Sequence, residues 1–227
     1  MTPPIVLVHG WGGSFDATWN DNGFTHLLRD AGRDVVGVDL LGHGTAPKPH
    51  DPVAYADLTT RVADAMPDGA VDAIGFSLGA ITLLRLAIRE PRRFNRLVLA
   101  GIGQSVFDTD NSRTERIIAA LDGRGDPDDN LSRLFVQYAN QRDNDVAALK
   151  AVLKRPSAPM LPEDLAGVTC PTLVVIGDRD FAGPGEPLVE ALPNATLRTL
   201  RNVDHFATPE AFGFIDATLD FLDAAPA

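Results

Sequence analysis

Short runs of branched apolar residues alternate along the chain with longer stretches whose apolar positions recur every third or fourth residue. The short runs cover residues 5–8, 34–38, 71–75, 96–100, 172–176 and 195–200. Four of the six are nearly continuous in Val, Ile and Leu, the pattern of strands covered on both faces. Their alternation with helical stretches predicts a mostly parallel six-stranded sheet in a three-layer α/β sandwich.

One stretch breaks the alternation. Between the fourth and fifth strands, residues 104–167 carry helical periodicity and no strand. Leu131, Leu134, Phe135 and Tyr138 fall at i, i+3, i+4 and i+7, and Val146, Leu149 and Leu153 continue the spacing. The segment is too long for a simple crossover. The expectation is a helical cap of residues 104–167, inserted between core segments 1–103 and 168–227.

At 227 residues the chain is near the upper size for one hydrophobic core. Twenty basic against 31 acidic residues leave a formal net charge of -11, a surface that repels phosphate backbones and anionic lipid headgroups. Nucleic acid and membrane surfaces are thereby excluded as partners, and a small-molecule substrate is expected. No apolar run approaches the ~20 residues of a membrane span, and residues 1–4 lead straight into a strand with no signal peptide to remove. A cytoplasmic location follows as an expectation. Cys170 is the only cysteine, so no internal disulfide can form, and its place before Pro171 suits a small buried apolar residue.

The candidate chemistry lies at the strand ends. Gly75-Phe76-Ser77-Leu78-Gly79 fits G-x-S-x-G and sits between a predicted strand and a helical run. A turn that tight strains the serine backbone, and the flanking glycines remove the clash a side chain would bring. The serine hydroxyl is lifted clear of the sheet, and the Leu78 N–H at the helix start faces a developing oxyanion. His9-Gly10-Trp11-Gly12-Gly13, after the first strand, offers a second oxyanion N–H, from Trp11. No G-x-G-x-x-G opens a helix, and no His/Cys cluster suggests a metal site. The expectation is chemistry without a cofactor or metal.

At this point the chain resembles the α/β-hydrolase superfamily over nearly its whole length. Asp39-Leu40-Leu41-Gly42-His43-Gly44 is similar to that family's D-x-x-G-H-G turn. The segment 171–180, ending in Gly177-Asp178-Arg179-Asp180, is similar to its penultimate strand and acid loop, and Val203-Asp204-His205-Phe206 to its histidine loop. Two departures stand out. The family's first two strands are missing, which shortens one edge of the sheet, and Asp204 stands where the family often has glycine. The resemblance implies the chain order Ser, Asp, His, with Ser77 as nucleophile, His205 as base and Asp180 as its partner. Asp178 then closes the turn through backbone hydrogen bonds, while His9 and His43 shape glycine turns. It also implies a carboxylesterase-like serine hydrolase that works through an acyl-enzyme. C–C bond, amide or lactone hydrolysis, perhydrolysis, or a non-hydrolytic binding protein on the same fold are the alternatives.

Overall fold

The computed structural model describes residues 2–141 and 143–224. Six parallel strands form one sheet: β1 (Ile5–Val8), β2 (Val35–Val38), β3 (Val71–Phe76), β4 (Phe94–Ala100), β5 (Thr172–Gly177) and β6 (Ala195–Leu200), in the order β2-β1-β3-β4-β5-β6. The order reverses at β1, where the chain first steps to β2 and then returns to β3. Open α/β sheets place ligands beside such a switch.

Alternate side chains of each strand point to opposite faces, which divides the core in two. On one face Val6, Val8, Ala73, Leu97, Leu99 and Val174 pack under α2 (Thr59–Ala65), α3 (Leu78–Arg89) and α7 (Glu186–Ala191). On the other, Ile5, Leu7, Ile74, Val98, Leu173 and Val175 pack under α1 (Phe24–Asp30) and α8 (Phe212–Phe221). Trp19, Phe24 and Phe214 close that layer with ring centroids 5.6–5.9 Å apart. The edge strands β2 and β6 keep partly exposed residues, whereas β1, β3 and β5 are buried throughout. That difference accounts for the continuous apolar runs of the inner strands and the mixed ones at the edges.

Between β4 and β5 the chain forms α4 (Ser112–Leu121), α5 (Asn130–Ala139) and α6 (Val146–Leu153). The inward face of α5 is set by Ser132, Phe135 and Ala139, all buried; of the expected stripe Phe135 is buried, Leu131 and Tyr138 are half-buried, and Leu134 is 40% exposed. Spacing alone admits Leu134 beside Phe135, but the helix turns its aromatic side inward and leaves Leu134 at the surface. Asp129 and Asp145 cap α5 and α6 by accepting backbone N–H bonds, from Ser132 and from Ala147 and Ala148. Among the described residues, no helix is long and apolar enough to cross a membrane.

At the opposite end of β3 from Ser77, a buried ion pair ties Pro3 and Leu222 to the sheet. Asp72 in β3 pairs with Arg33, and both are at most 5% exposed. Arg33 also donates to the Leu222 carbonyl (2.7 Å) and the Pro3 carbonyl (2.9 Å), and Asn95 Nδ2 donates to Asp72 at 2.7 Å. A buried pair broken on one side leaves an uncompensated charge, which costs about 3–5 kcal/mol. Asp72→Ala is therefore expected to lower Tm by roughly 6–20 °C, and Arg33→Met with Asp72→Leu should recover most of that loss. Thermal unfolding of the two variants checks this; a single variant as stable as the parent would show the pair to be dispensable.

Candidate active site

β3 passes into α3 at Ser77, whose backbone (φ 51°, ψ −113°) lies outside the regions open to most L-residues. The turn is held by close packing against β1. A Cβ on Gly79 would lie 2.3 Å from the Val8 carbonyl oxygen and 2.5 Å from that of His9, both backbone atoms that cannot step aside. Gly79 is thus required by the approach of helix to strand. The Ser77 N–H donates to the Ala100 carbonyl of β4 at 2.8 Å, which fixes the elbow from its other side.

The acid and histidine loops meet across β5 and β6. His205 Nδ1 lies 2.9 Å from both carboxylate oxygens of Asp180, and its Nε2 lies 2.9 Å from Ser77 Oγ. An ionised carboxylate only accepts, so Nδ1 carries the proton and Nε2 is free to accept from the serine hydroxyl. The Asp180 side chain is fully buried and that of His205 is 5% exposed. Asp180 Oδ1 also accepts the Ala182 N–H at 2.8 Å, which holds the carboxylate in place. Gly177 lets the loops touch: a Cβ there would lie 2.0 Å from the Val203 oxygen.

Of the two aspartates after β5, Asp180 reaches the histidine and Asp178 does not. Asp178 Oδ1 accepts the N–H of Asn202 at 2.7 Å. It therefore bridges the acid loop to the turn after β6, a longer reach than the local turn closure expected of it. Asp204, which departs from the family's glycine, accepts the Ala207 N–H at 3.0 Å and starts the turn after the histidine.

Ser77, His205, Trp11 and Leu78 all line one cavity of about 500 Å³. Among the described residues, neither the Trp11 nor the Leu78 backbone N–H donates to a protein acceptor, and the helix dipole of α3 adds positive potential at Leu78. The Trp11 side chain has its own task. Its Nε1 donates to the Leu149 carbonyl of α6 at 3.0 Å, and its ring stacks on Phe135 of α5 at 5.2 Å. Asn144 Nδ2 donates to the Gly12 carbonyl at 2.8 Å. The segment between β4 and β5 thus grips the loop after β1.

Sequence reading did not single out the aromatic collar of His205. Phe181 stacks on the imidazole at 4.2 Å, with Phe76 at 5.0 Å and Phe206 edge-on at 5.5 Å. The signal was present, since Phe181 and Phe206 each directly follow a proposed site residue, but nothing in the spacing says that the two rings converge.

His9 and His43 serve the framework. His9 Nε2 accepts the Leu40 N–H at 3.1 Å and Nδ1 donates to the Gly10 carbonyl at 2.7 Å, so both nitrogens are committed to the neutral form. Asp39 beside them accepts from Phe15 N (2.8 Å), Thr45 N (2.7 Å) and Thr45 Oγ1 (2.9 Å), joining the loops after β1 and β2. Burial depresses the pKa of His9, and burial, followed by the nearby His9, depresses that of His43 to about 3.

A family model described as the alpha/beta hydrolase family matches residues 5–216. The chain belongs to that family. A pimeloyl-[acyl-carrier protein] methyl ester esterase of Neisseria meningitidis serogroup A is 28% identical to this α/β hydrolase, over 95% of this chain and 78% of that one. A 2-hydroxymuconate semialdehyde hydrolase of Pseudomonas sp. (strain CF600) is 33% identical over 102 residues, a match that spans 43% of this chain and only 36% of that relative's length. Among solved structures, a serine hydrolase involved in carbazole degradation superposes with a TM-score of 0.71 at 27% identity, covering 97% of this chain and 91% of that one.

The buried histidines make acid stability a test of their assigned state. A histidine whose folded pKa is depressed binds its proton in the unfolded chain first. Its contribution is intact above the unfolded value of about 6.5 and is lost as pH falls toward 3, by at most about 1.4 kcal/mol per pH unit. His43→Asn, which keeps a donor for the Leu41 carbonyl, should flatten the stability curve between about pH 6.5 and 4.5, above the range of ordinary carboxylates. Urea unfolding across that range is the measurement, and a variant curve as steep as the parent's would refute the buried neutral imidazole.

Proposed function

We propose that this α/β hydrolase cleaves small carboxylic esters through an acyl-enzyme on Ser77. The observation that carries the reading is the continuous line Asp180–His205–Ser77, joined by 2.9 Å contacts at the wall of a cavity. A serine hydroxyl needs a base within such reach to act as a nucleophile. Ser77 Oγ attacks the carbonyl carbon while its proton passes to His205 Nε2, and Asp180 holds the imidazolium without taking the proton. The carbonyl oxygen, now anionic, accepts from the N–H groups of Trp11 and Leu78, a contribution worth about 10²–10³ in rate per donor in comparable sites. The leaving alcohol takes the proton from Nε2. Water enters by the reverse route and releases the acid.

Residues 104–167 act in this reading as a cap over core segments 1–103 and 168–227. Support comes from Phe135 and Met160, which line the same cavity as Ser77, and from the two hydrogen bonds that tie the segment to the loop after β1. Hydrolysis of a C–C bond with the same three residues is the second reading, favoured by the match to the 2-hydroxymuconate semialdehyde hydrolase.

Ser77→Ala is expected to lower turnover of an activated ester by about 10⁶ and Asp180→Asn by about 10⁴. Asp178→Asn should leave turnover near the parent's and reduce stability by about 1 kcal/mol, the loss of one hydrogen bond. Steady-state kinetics and thermal unfolding on the three variants separate the effects. Turnover that survives Ser77→Ala would defeat the serine mechanism, and loss of turnover in folded Asp178→Asn with Asp180→Asn spared would exchange the two aspartates.

A further inference from the structure

The cavity that holds Ser77 is cationic in an otherwise acidic molecule. Arg85, Arg113, Lys154 and Arg155 line it, against only Asp108 and Asp110. Asp110 is already engaged, since its two oxygens accept the N–H and hydroxyl of Ser112. Among the described residues, none of the three arginines lies within ion-pair distance of a carboxylate. Arg155 donates to the Val152 carbonyl at 2.7 Å, and Arg85 donates to the Ala158 carbonyl and to Ser157 Oγ. Those bonds leave most of the ten guanidinium donors of the pair unspent. Arg113 lies over the Phe181 ring, 5.2 Å from its centroid, the ring that stacks on His205, and it also attracts Asp110 from beyond ion-pair distance.

Asp164 attracts Arg85 from beyond ion-pair distance, but Arg155 faces the repulsion of Arg85 while buried, which is electrostatically unfavourable. Burial and then the neighbouring Arg85 pull the Arg155 guanidinium down to about 10, still charged at neutral pH. An anion between the two would offset both the burial and the repulsion, and a planar guanidinium fork suits a carboxylate. The floor of the cavity sets where that anion sits. Leu78, Ile81 and Arg85 lie on one face of α3 and all line the cavity. Eight residues of helix, roughly 12 Å at 1.5 Å each, therefore separate Ser77 from Arg85, with Leu78 and Ile81 between.

We propose that the cavity selects acyl substrates that end in a carboxylate, with Arg85 and Arg155 binding the anion and α3 spacing it from the carbonyl attacked by Ser77. The substrate class is the half-ester of a straight-chain dicarboxylic acid. This deepens the serine-hydrolase reading and rests on it only for the turnover arm of the test. The apolar span suits a chain, since Leu78 and Ile81 offer no hydrogen-bonding group, and the guanidiniums at its end suit a charge. A neutral ester of the same length would leave Arg155 without a counter-ion.

The test uses calorimetric binding to Ser77→Ala, in which chemistry cannot intrude. Its ligands are monomethyl esters of dicarboxylic acids from four to ten carbons and the dimethyl esters of the same acids. At the best length the half-ester should bind about tenfold tighter or more, as expected of a charge-assisted contact. The preference should fall to near parity when Arg85→Gln and Arg155→Gln are added, and Arg155→Lys should keep part of it. Equal binding of half-ester and diester to Ser77→Ala would overturn the proposal, and so would a preference that survives both substitutions. If the arginines only brace the segment around residues 152–158, their replacement lowers Tm and leaves the preference intact, which also overturns it. In parallel, kcat/KM of the Ser77 protein is measured on both ester series. Selective binding without Ser77-dependent turnover sinks the hydrolase reading and leaves the anion subsite standing. Turnover with no preference for the half-ester does the reverse.

Discussion

The turn at Ser77 is the constraint from which the site follows. A serine held at φ 51° and ψ −113° carries a conformational cost of about 1–3 kcal/mol and persists only if its surroundings leave no alternative. Those surroundings are backbone. The start of α3 rests against the end of β1 so closely that Gly79 has no room for a side chain, and the Ser77 N–H is anchored to Ala100 at the end of β4. The elbow is thus clamped between its two neighbours in the sheet. The same adjacency of β1 and β3, with Val8 beside Gly75, brings the loop of Trp11 to the side of the serine. The strain at Ser77, the position of its hydroxyl and the nearness of the Trp11 loop are consequences of one register.

The other half of the site is assembled two strands away by an equivalent device. Gly101 N–H bonds to the Val175 carbonyl, joining the loop after β4 to β5, and Gly177 lets the histidine loop lie directly on the acid loop. Asp178 bonds across to Asn202 and so fixes the separation of those loops, while Asp180 reaches the imidazole. One aspartate sets where the histidine loop lies and the other which way its ring faces. Because β4 bonds to both β3 and β5, a displacement on either side would open the 2.9 Å contact between Ser77 and His205.

What could be read from sequence is what short-range chemistry dictates. The six strands were visible because inner strands of a parallel sheet exclude polar residues from both faces, and the elbow because its residues are contiguous in G-x-S-x-G, although only Gly75 is demanded by contacts within a few residues and Gly79 by β1. Asp180 could be preferred to Asp178 only through family resemblance, since both follow the same strand and the choice depends on a loop 25 residues further on. Leu134 was misplaced for a related reason. Periodicity defines a stripe on a helix, but which edge of the stripe turns inward depends on partners elsewhere in the chain, here Trp11, Phe181 and Phe206 around Phe135. The grip of Asn144 and Leu149 on the loop after β1 joins residues more than 130 positions apart and has no local signature.

In the proposed reading, this division between local and long-range determinants runs parallel to a division between chemistry and selectivity. Ser77, Asp180, His205 and the N–H groups of Trp11 and Leu78 stand at the ends of strands, on backbone whose register the sheet fixes. The remainder of the cavity is built differently: Arg85 projects from the third turn of α3, while Arg113, Phe135, Arg155 and Met160 come from the segment between β4 and β5. Phe135 packs on Trp11 and Met160 belongs to the core, but Arg85, Arg113 and Arg155 lie outside the core clusters and can be exchanged with least disturbance to the Ser77 elbow. A chain can therefore keep the backbone of a hydrolase while charge and shape at the far wall of its cavity are set anew. In this chain that wall is cationic although the molecule as a whole carries -11. Long-range repulsion from an acidic surface would slow the approach of an anion, so any preference for one must come from contacts made inside. Guanidiniums removed from bulk water supply such contacts, because the interaction strengthens as the local dielectric falls, whereas the surface charge that opposes entry is screened over about 8 Å at physiological salt.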